Sequence, residues 1–198
     1  SYLFKICPNC TRFFFNCNGT NSFCHHSKVV FTDGACINNG RRGVEAFSGM
    51  GFAIGDDESQ QYQLGIDDYV DDGPRTNQRA ELLAAIHGLE LLGKISNKEY
   101  EEEMYNSHPD DIATLVLATD SEYIVKGITE WYHIWERQNW LTNKGFTPVN
   151  LDLFHRLQDC VKKLEQDNFC VVFFHVSHDY NTLADGLAKD AAESMRGR

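Results

Sequence analysis

Ala113-Thr114-Leu115-Val116-Leu117-Ala118-Thr119 runs without a charge straight into Asp120. The stretch does not alternate as a half-exposed strand would. It reads as a continuous apolar run, the mark of a strand covered on both faces. Such a strand belongs in a sheet with helices on either side. A carboxylate at its end is costly unless something compensates the charge.

Upstream, Val29-Val30-Phe31-Thr32-Asp33 is a β-rich run ended by Gly34, and residues 49–55 read as a second strand. Gln61-Tyr62-Gln63-Leu64-Gly65-Ile66 alternates, so these three predict an antiparallel meander. From 77 to about 95 the apolar residues Ala80, Leu83, Ala84, Leu91 and Leu92 lie near one helical face, with Thr76 as N-cap. Downstream, 121–140 and 150–166 read as helices, 169–176 as a last strand and 183–195 as a last helix. That order predicts an α/β fold, a mixed sheet flanked by helices.

Residues 1–28, rich in Cys, Asn, Phe and His, read as a small appendage to a domain over 29–198. A length of 198 residues suits that division, and 42% apolar with 24% charged residues is ordinary for a globular chain. No apolar run reaches the ~18 residues of a membrane span, so no membrane partner is expected. The net charge of −11 alone argues against a polyanionic ligand. Yet 56–72 and 99–111 hold thirteen acidic residues and no Lys or Arg, so the rest of the chain is basic by two charges.

Four of the seven cysteines fall in the first 24 residues. Cys7-Pro8-Asn9-Cys10 has the gap of a zinc half-site, Cys17 and Cys24 follow, and His25 and His26 are spare ligands. A structural zinc, disulfides, and free thiols packed with Phe13, Phe14 and Phe15 all fit this pattern. The odd count and the lack of a secretory signal favour a reducing, intracellular compartment.

Four carboxylates stand in sharp contexts: Asp33 in the first strand before a Gly, Glu81 opening the first long helix, Asp120, and Asp185 opening the last helix. Singly, each is more often a turn former or helix cap. Together they suit divalent cations, because magnesium takes hard oxygen ligands and bridges to phosphate oxygens.

At Phe31-Thr32-Asp33-Gly34-Ala35-Cys36, Thr76-Asn77-Gln78-Arg79-Ala80-Glu81, Ala118-Thr119-Asp120-Ser121 and the segment from His175 through Asn181 to Asp185, the chain resembles the ribonuclease H family. The resemblance is closest to the eukaryotic type-1 enzymes and covers residues 29–192. It implies a five-stranded mixed sheet with helices on both faces. It also implies a metal-dependent endonuclease that cuts the RNA strand of an RNA–DNA hybrid and leaves 5′-phosphate products. Asp33, Glu81, Asp120 and Asp185 match the ligands of two Mg²⁺ ions, with Mn²⁺ as the expected substitute. His175 matches the family's mobile histidine, with His178 as a competitor for that role.

The resemblance also assigns substrate contacts. Asn39, Asn77 and Gln78 match amides that read the RNA 2′-hydroxyls, although Asn38-Asn39-Gly40 is also a turn signal. Trp131 and Trp135, four apart on one helical face, match an aromatic channel for the DNA strand; core packing is the alternative for each. Thr76 and Asn150 match a pocket for a DNA-strand phosphate. Pro74 stands where the family has an Arg, and Arg75 is next to it. Residues 126–163 carry six basic and four acidic side chains, fewer net positive charges than the family's handle. A nuclear or mitochondrial location is expected, with no obligate protein partner. The competing readings are a hybrid-binding module without catalysis and a different nuclease of the same fold.

Overall fold

The computed structural model describes residues 3–15, 27–67, 69–103 and 112–197. Two short strands, β1 (Phe4–Ile6) and β2 (Phe13–Phe15), precede a meander of β3 (Ser27–Ile37), β4 (Phe47–Ala53) and β5 (Gln61–Ile66). Then come α1 (Asn77–Glu103), β6 (Ala113–Thr119), α2 (Glu122–Lys126), α3 (Tyr132–Arg137), α4 (Leu151–Gln166), β7 (Phe169–His175) and α5 (Thr182–Arg196).

The meander is antiparallel, with Asp33 opposite Gly51 and Phe52 opposite Tyr62. On the other side of β3, β6 lies parallel to it and β7 parallel to β6. These five strands, from Ser27 to His175, make the mixed sheet expected of the domain over 29–198. The apolar runs fill both of its faces. Val30, Met50, Leu115 and Leu117 point to one face, against Leu82, Leu83, Ile86 and Leu89 of α1 and Phe154 and Leu157 of α4. Val29, Phe31, Val116 and Ala118 point to the other, with Ala184 of α5. Each large buried aliphatic contributes about 1.5–3 kcal/mol relative to exposure. Helix α5 packs close because β4 is glycine-rich there: a Cβ on Gly51 would lie 2.4 Å from the Ala184 carbonyl oxygen.

Three features differ from expectation. First, the N-terminal residues extend the sheet to seven strands. β1 and β2 form a hairpin, Phe14 pairs with Lys28, and Arg12 bridges to Gly55 beyond the end of β4. Its phenylalanines complete the second face, with the rings of Phe4 and Phe31 at 5.1 Å and those of Phe4 and Phe174 at 5.4 Å. Second, α1 runs to Glu103, well past residue 95. Glu99 takes an ion pair from Arg12 and another from Lys28 at 2.7 Å, which ties the extra turns to the hairpin and β3. Third, α2 and α3 are joined by a π-helical turn, Gly127–Trp131.

Cys7 is buried and Cys10 partly buried in the loop of the hairpin, where the Thr11 N–H donates to the Cys7 carbonyl at 2.9 Å. Cys17, Cys24, His25 and His26 lie outside the described residues. Among the described residues, no helix is long and apolar enough to cross a membrane.

Candidate active site

Four elements bring the carboxylates to one end of the sheet. Asp33 lies in β3, 9% exposed. Gly34 beside it lets β3 touch the start of α1, since a Cβ there would lie 2.1 Å from the Glu81 nitrogen. Asp120 follows β6, the parallel neighbour of β3, and Asp185 sits in the first turn of α5. The electrostatics register their proximity. Burial, then the charges of Asp120, Glu81 and Asp185, push the Asp33 carboxyl from its ordinary 3.8 to about 7, against a lowering hydrogen bond from the Gly34 N–H. Burial and the Asp120 charge also raise Glu81, while a hydrogen bond from Ser121 opposes them.

Each carboxylate has a protein donor. The Asp33 Oδ1 accepts from the Gly34 N–H at 2.8 Å and Glu81 Oε2 from the Ser121 hydroxyl at 2.6 Å. Asp120 is held twice, by Asn181 Nδ2 at 2.9 Å and His178 Nδ1 at 2.7 Å. Lys189 donates to Asp185 Oδ2 at 2.6 Å. Among the described residues, no three ligating side chains gather round a single point. The donor set nonetheless fits a hard divalent cation: the oxygens are carboxylate oxygens, and the negative charge of the three neighbouring carboxylates helps to raise Asp33. Asp33, Glu81, Asp120 and Asp185 would hold such ions.

Thr119 pairs with His175 across β6 and β7, so His175 stands beside Asp120 and its Nε2 reaches the Asp120 backbone carbonyl at 3.2 Å. The hairpin comes close too: Leu3 and Phe4 share the wall of a 200 Å³ cavity with His175, Val176 and Tyr180.

The expected substrate residues fall into three groups. Asn77 and Gln78 open α1, exposed, and Asn39 is exposed beyond β3. That loop is closed by Asn38, whose Nδ2 donates to the Glu45 carbonyl at 2.9 Å, so Asn39 is not the turn's own tie. Trp131 and Trp135 are half-buried, their rings 6.2 Å apart, and line a cavity of about 390 Å³ with Gln138, Thr142 and Lys144. Trp135 packs on Phe154 at 5.4 Å and belongs to the core margin; Trp131 rests on Tyr123 at 6.0 Å. Thr76 caps α1, accepting from the Arg79 N–H at 3.2 Å, and Asn150 precedes α4 in left-handed conformation. Arg75, next to Pro74, donates to the Asp71 and Gly73 carbonyls and lines a cavity with Phe47 and Met195.

The sequence left four site neighbours without a role: Ser121, Tyr123, Asn181 and Lys189. Asn181 is fully buried, and besides Asp120 it donates to the Thr32 carbonyl at 3.1 Å. A polar residue just before a helix that carries a ligand carboxylate was a usable signal, although it reads first as a cap.

A mixed sheet of this order, with a carboxylate cluster where its central strands meet two helices, is that of an α/β nuclease. The chain belongs to the RNase H family, whose model matches residues 25–193. A ribonuclease H of Nitrobacter hamburgensis is 34% identical over 168 residues, covering 85% of this chain and 93% of that one. One of Shewanella halifaxensis is 33% identical over 166 residues, covering 83% and 85%. The crystal structure of LC9-RNase H1, a type 1 RNase H with the type 2 active-site motif, matches with TM-score 0.57 at 25% identity, covering 84% of this chain and 72% of that one. The PFV RNase H domain matches in fold, with TM-score 0.58 at 18% identity over 84% and 94% of the chains.

Enzymes of this family generally use divalent metal ions. The relatives are bacterial, from cells without nuclei or mitochondria, and this overturns the nuclear or mitochondrial location expected above. They carry the family assignment but not the preference for its eukaryotic type-1 branch.

Proposed function

We propose that this chain hydrolyses the RNA strand of RNA–DNA hybrids endonucleolytically, leaving 5′-phosphate ends. One observation carries the reading. Four carboxylates from β3, α1, the end of β6 and α5 act on one site, and burial with the other three charges raises Asp33 to about 7. Asp33, Glu81, Asp120 and Asp185 would hold two Mg²⁺ ions, or Mn²⁺ in their place, which would supply activation of a water and stabilisation of the leaving oxygen of a phosphodiester. Ser121 and Asn181 orient the Glu81 and Asp120 oxygens. His175 or His178 assists proton transfer or product release beside Asp120.

Hybrid selectivity follows from the flanks. Asn39, Asn77 and Gln78 offer amides to 2′-hydroxyls, which only the RNA strand carries. Trp131 and Trp135 pack on deoxyribose, where a 2′-hydroxyl would clash, and Thr76 and Asn150 take a DNA-strand phosphate. Within the family, the motif segments 76–81 and 118–121 support kinship with eukaryotic type-1 enzymes. Residues 29–198 form the catalytic domain, and 1–28 an addition whose Phe4, Phe13 and Phe15 pack on its second sheet face. For Cys7, Cys10, Cys17 and Cys24 a structural zinc stands beside disulfides and free thiols as one of three readings, and the position of Cys7 and Cys10 in one hairpin loop supports it.

The test is cleavage of a hybrid, a double-stranded RNA and a double-stranded DNA of one sequence, in Mg²⁺ and in EDTA. Cleavage confined to the RNA of the hybrid, dependent on Mg²⁺ and yielding 5′-phosphates, is expected. Binding without cleavage, or preferential cutting of either pure duplex, would overturn the reading.

A further inference from the structure

Arg79, buried two residues before Glu81 on α1, has an acceptor for every N–H of its guanidinium. Nε and Nη2 donate to Asp71 at 2.9 and 2.7 Å. Nη1 and Nη2 donate to Asp152 at 3.1 and 2.7 Å. The remaining Nη1 hydrogen goes to Asn150 Oδ1 at 3.4 Å. Gly73 makes room for the group, since a Cβ there would lie 2.5 Å from the Arg79 Cζ. The two carboxylates hold the guanidinium charged, and its fork geometry matches both. No donor is left over for a ligand.

A guanidinium only donates, so the Asn150 amide must turn its oxygen to Arg79. Its Nδ2 then faces the other way, where it donates to the Tyr123 hydroxyl at 3.3 Å. The Arg79 backbone N–H also donates to Thr76 Oγ1. One residue therefore ties both members of the phosphate pocket, across α1 and the start of α4. We infer that Arg79 is a positioning residue for the DNA-strand phosphate: it locks the Asn150 amide so that nitrogen, not oxygen, meets the phosphate. An amide flipped the other way would set an oxygen against an anion. Lysine, a point donor without the planar fork, cannot meet both carboxylates bidentately and still reach the amide. The inference rests on the hybrid-cleaving function proposed above.

The probe is a set of hybrids carrying a single neutral methylphosphonate, stepped along the DNA strand. With the parent protein, KM should rise about tenfold at one position, the loss of one hydrogen bond to a charged group. Arg79→Lys should raise KM on the unmodified hybrid about tenfold with kcat within about twofold, and abolish the penalty at that position, the two losses being non-additive. Asn150→Asp keeps an acceptor for Arg79, so it should melt near the parent, yet it sets a carboxylate against the phosphate: KM on the unmodified hybrid should rise by more than about tenfold, and methylphosphonate at that position should lower KM instead of raising it. Asp152→Asn, at an exposed side chain, leaves no buried charge unpaired and serves where Arg79→Lys melts too low. It should raise KM about threefold and weaken the penalty in proportion. A full penalty and parent KM in Asp152→Asn or Arg79→Lys would overturn the inference, as would a parent indifferent to methylphosphonate at every position. A parent that cleaves no hybrid would instead overturn the proposed function.

Discussion

His178 and Asp120 are joined side chain to side chain, Nδ1 to Oδ2, at 2.7 Å. His175, the match to the family's mobile histidine, has its Nε2 at 3.2 Å from the Asp120 backbone carbonyl instead. The Asp120 hydrogen bond, reinforced by its charge, raises the His178 pKa, so the imidazolium competes with a cation for the carboxylate most strongly in mild acid. His178→Ala should therefore lower the Mg²⁺ concentration for half-maximal cleavage by about threefold to tenfold near pH 6, fading towards pH 8.5. His175→Ala should lower turnover without that metal shift. Metal titrations at the two pH values check both. An unchanged requirement in His178→Ala at pH 6 would remove His178 from the competition.

Asp33 gives a stability prediction with a definite sign. Its folded pKa is raised from 3.8 to about 7, so the metal-free folded state holds a proton that the unfolded chain releases. The favourable contribution is present below about pH 4 and is lost as pH rises to about 7. In EDTA, Asp33→Asn should escape this loss and exceed the parent at pH 8 by a few kcal/mol, of order 2–4. Urea unfolding at pH 5 and pH 8 measures it. A variant less stable than the parent at pH 8 would contradict the electrostatic picture of the cluster.

The two channel indoles should separate by property. Trp131 lies over Tyr123 at the cavity, so Trp131→Ala should weaken hybrid binding about tenfold while lowering stability by no more than about 1 kcal/mol. Trp135 packs on Phe154, and its truncation should cost about 3 kcal/mol or more. Affinity and melting temperature, measured on both variants, decide. A large stability loss with unchanged affinity in Trp131→Ala would return that residue to the core.

Gly34→Ala tests how the fold presents Asp33. The added methyl would meet the Ala80 carbonyl carbon and Glu81 nitrogen at 2.1 Å, so β3 and α1 must part. Cleavage should fall at least about a hundredfold even where the variant stays folded, because the displacement moves Glu81 from Asp33. Near-parent activity would show that the strand–helix contact does not set the site.

Much of this was legible in the sequence because it is written locally. The run ending at Asp120 carries its two-faced burial in its own composition, and α4, β5, β7 and α5 fall within a few residues of the patterns that announced them. The carboxylates were visible because Asp120 follows the apolar run, Glu81 and Asp185 lie in the first turns of helices, and Asp33 closes an apolar run before a Gly. The hairpin was not, because Phe13 rests on Phe31 and Phe15 on Phe174, partners outside the hairpin's own segment. The extra turns of α1 were hidden for the same reason, since Glu99 answers to Arg12 and Lys28. Asn181 and Ser121 were hidden because a cap and a ligand-orienting donor look alike in one dimension. The π-helical turn at 127–131 had no sequence mark beyond Gly127, which sits against the Phe154 ring.

The most direct test is the single-turnover rate of RNA-strand cleavage in one hybrid, in saturating Mg²⁺, for the parent and Asp120→Asn. The amide keeps the shape of the side chain and removes the charge that would hold the ion. The expected result is cleavage by the parent and a loss of more than about a thousandfold in the variant, with hybrid binding retained. Cleavage by Asp120→Asn at a rate near the parent's would contradict the assignment of this carboxylate cluster as the catalytic site.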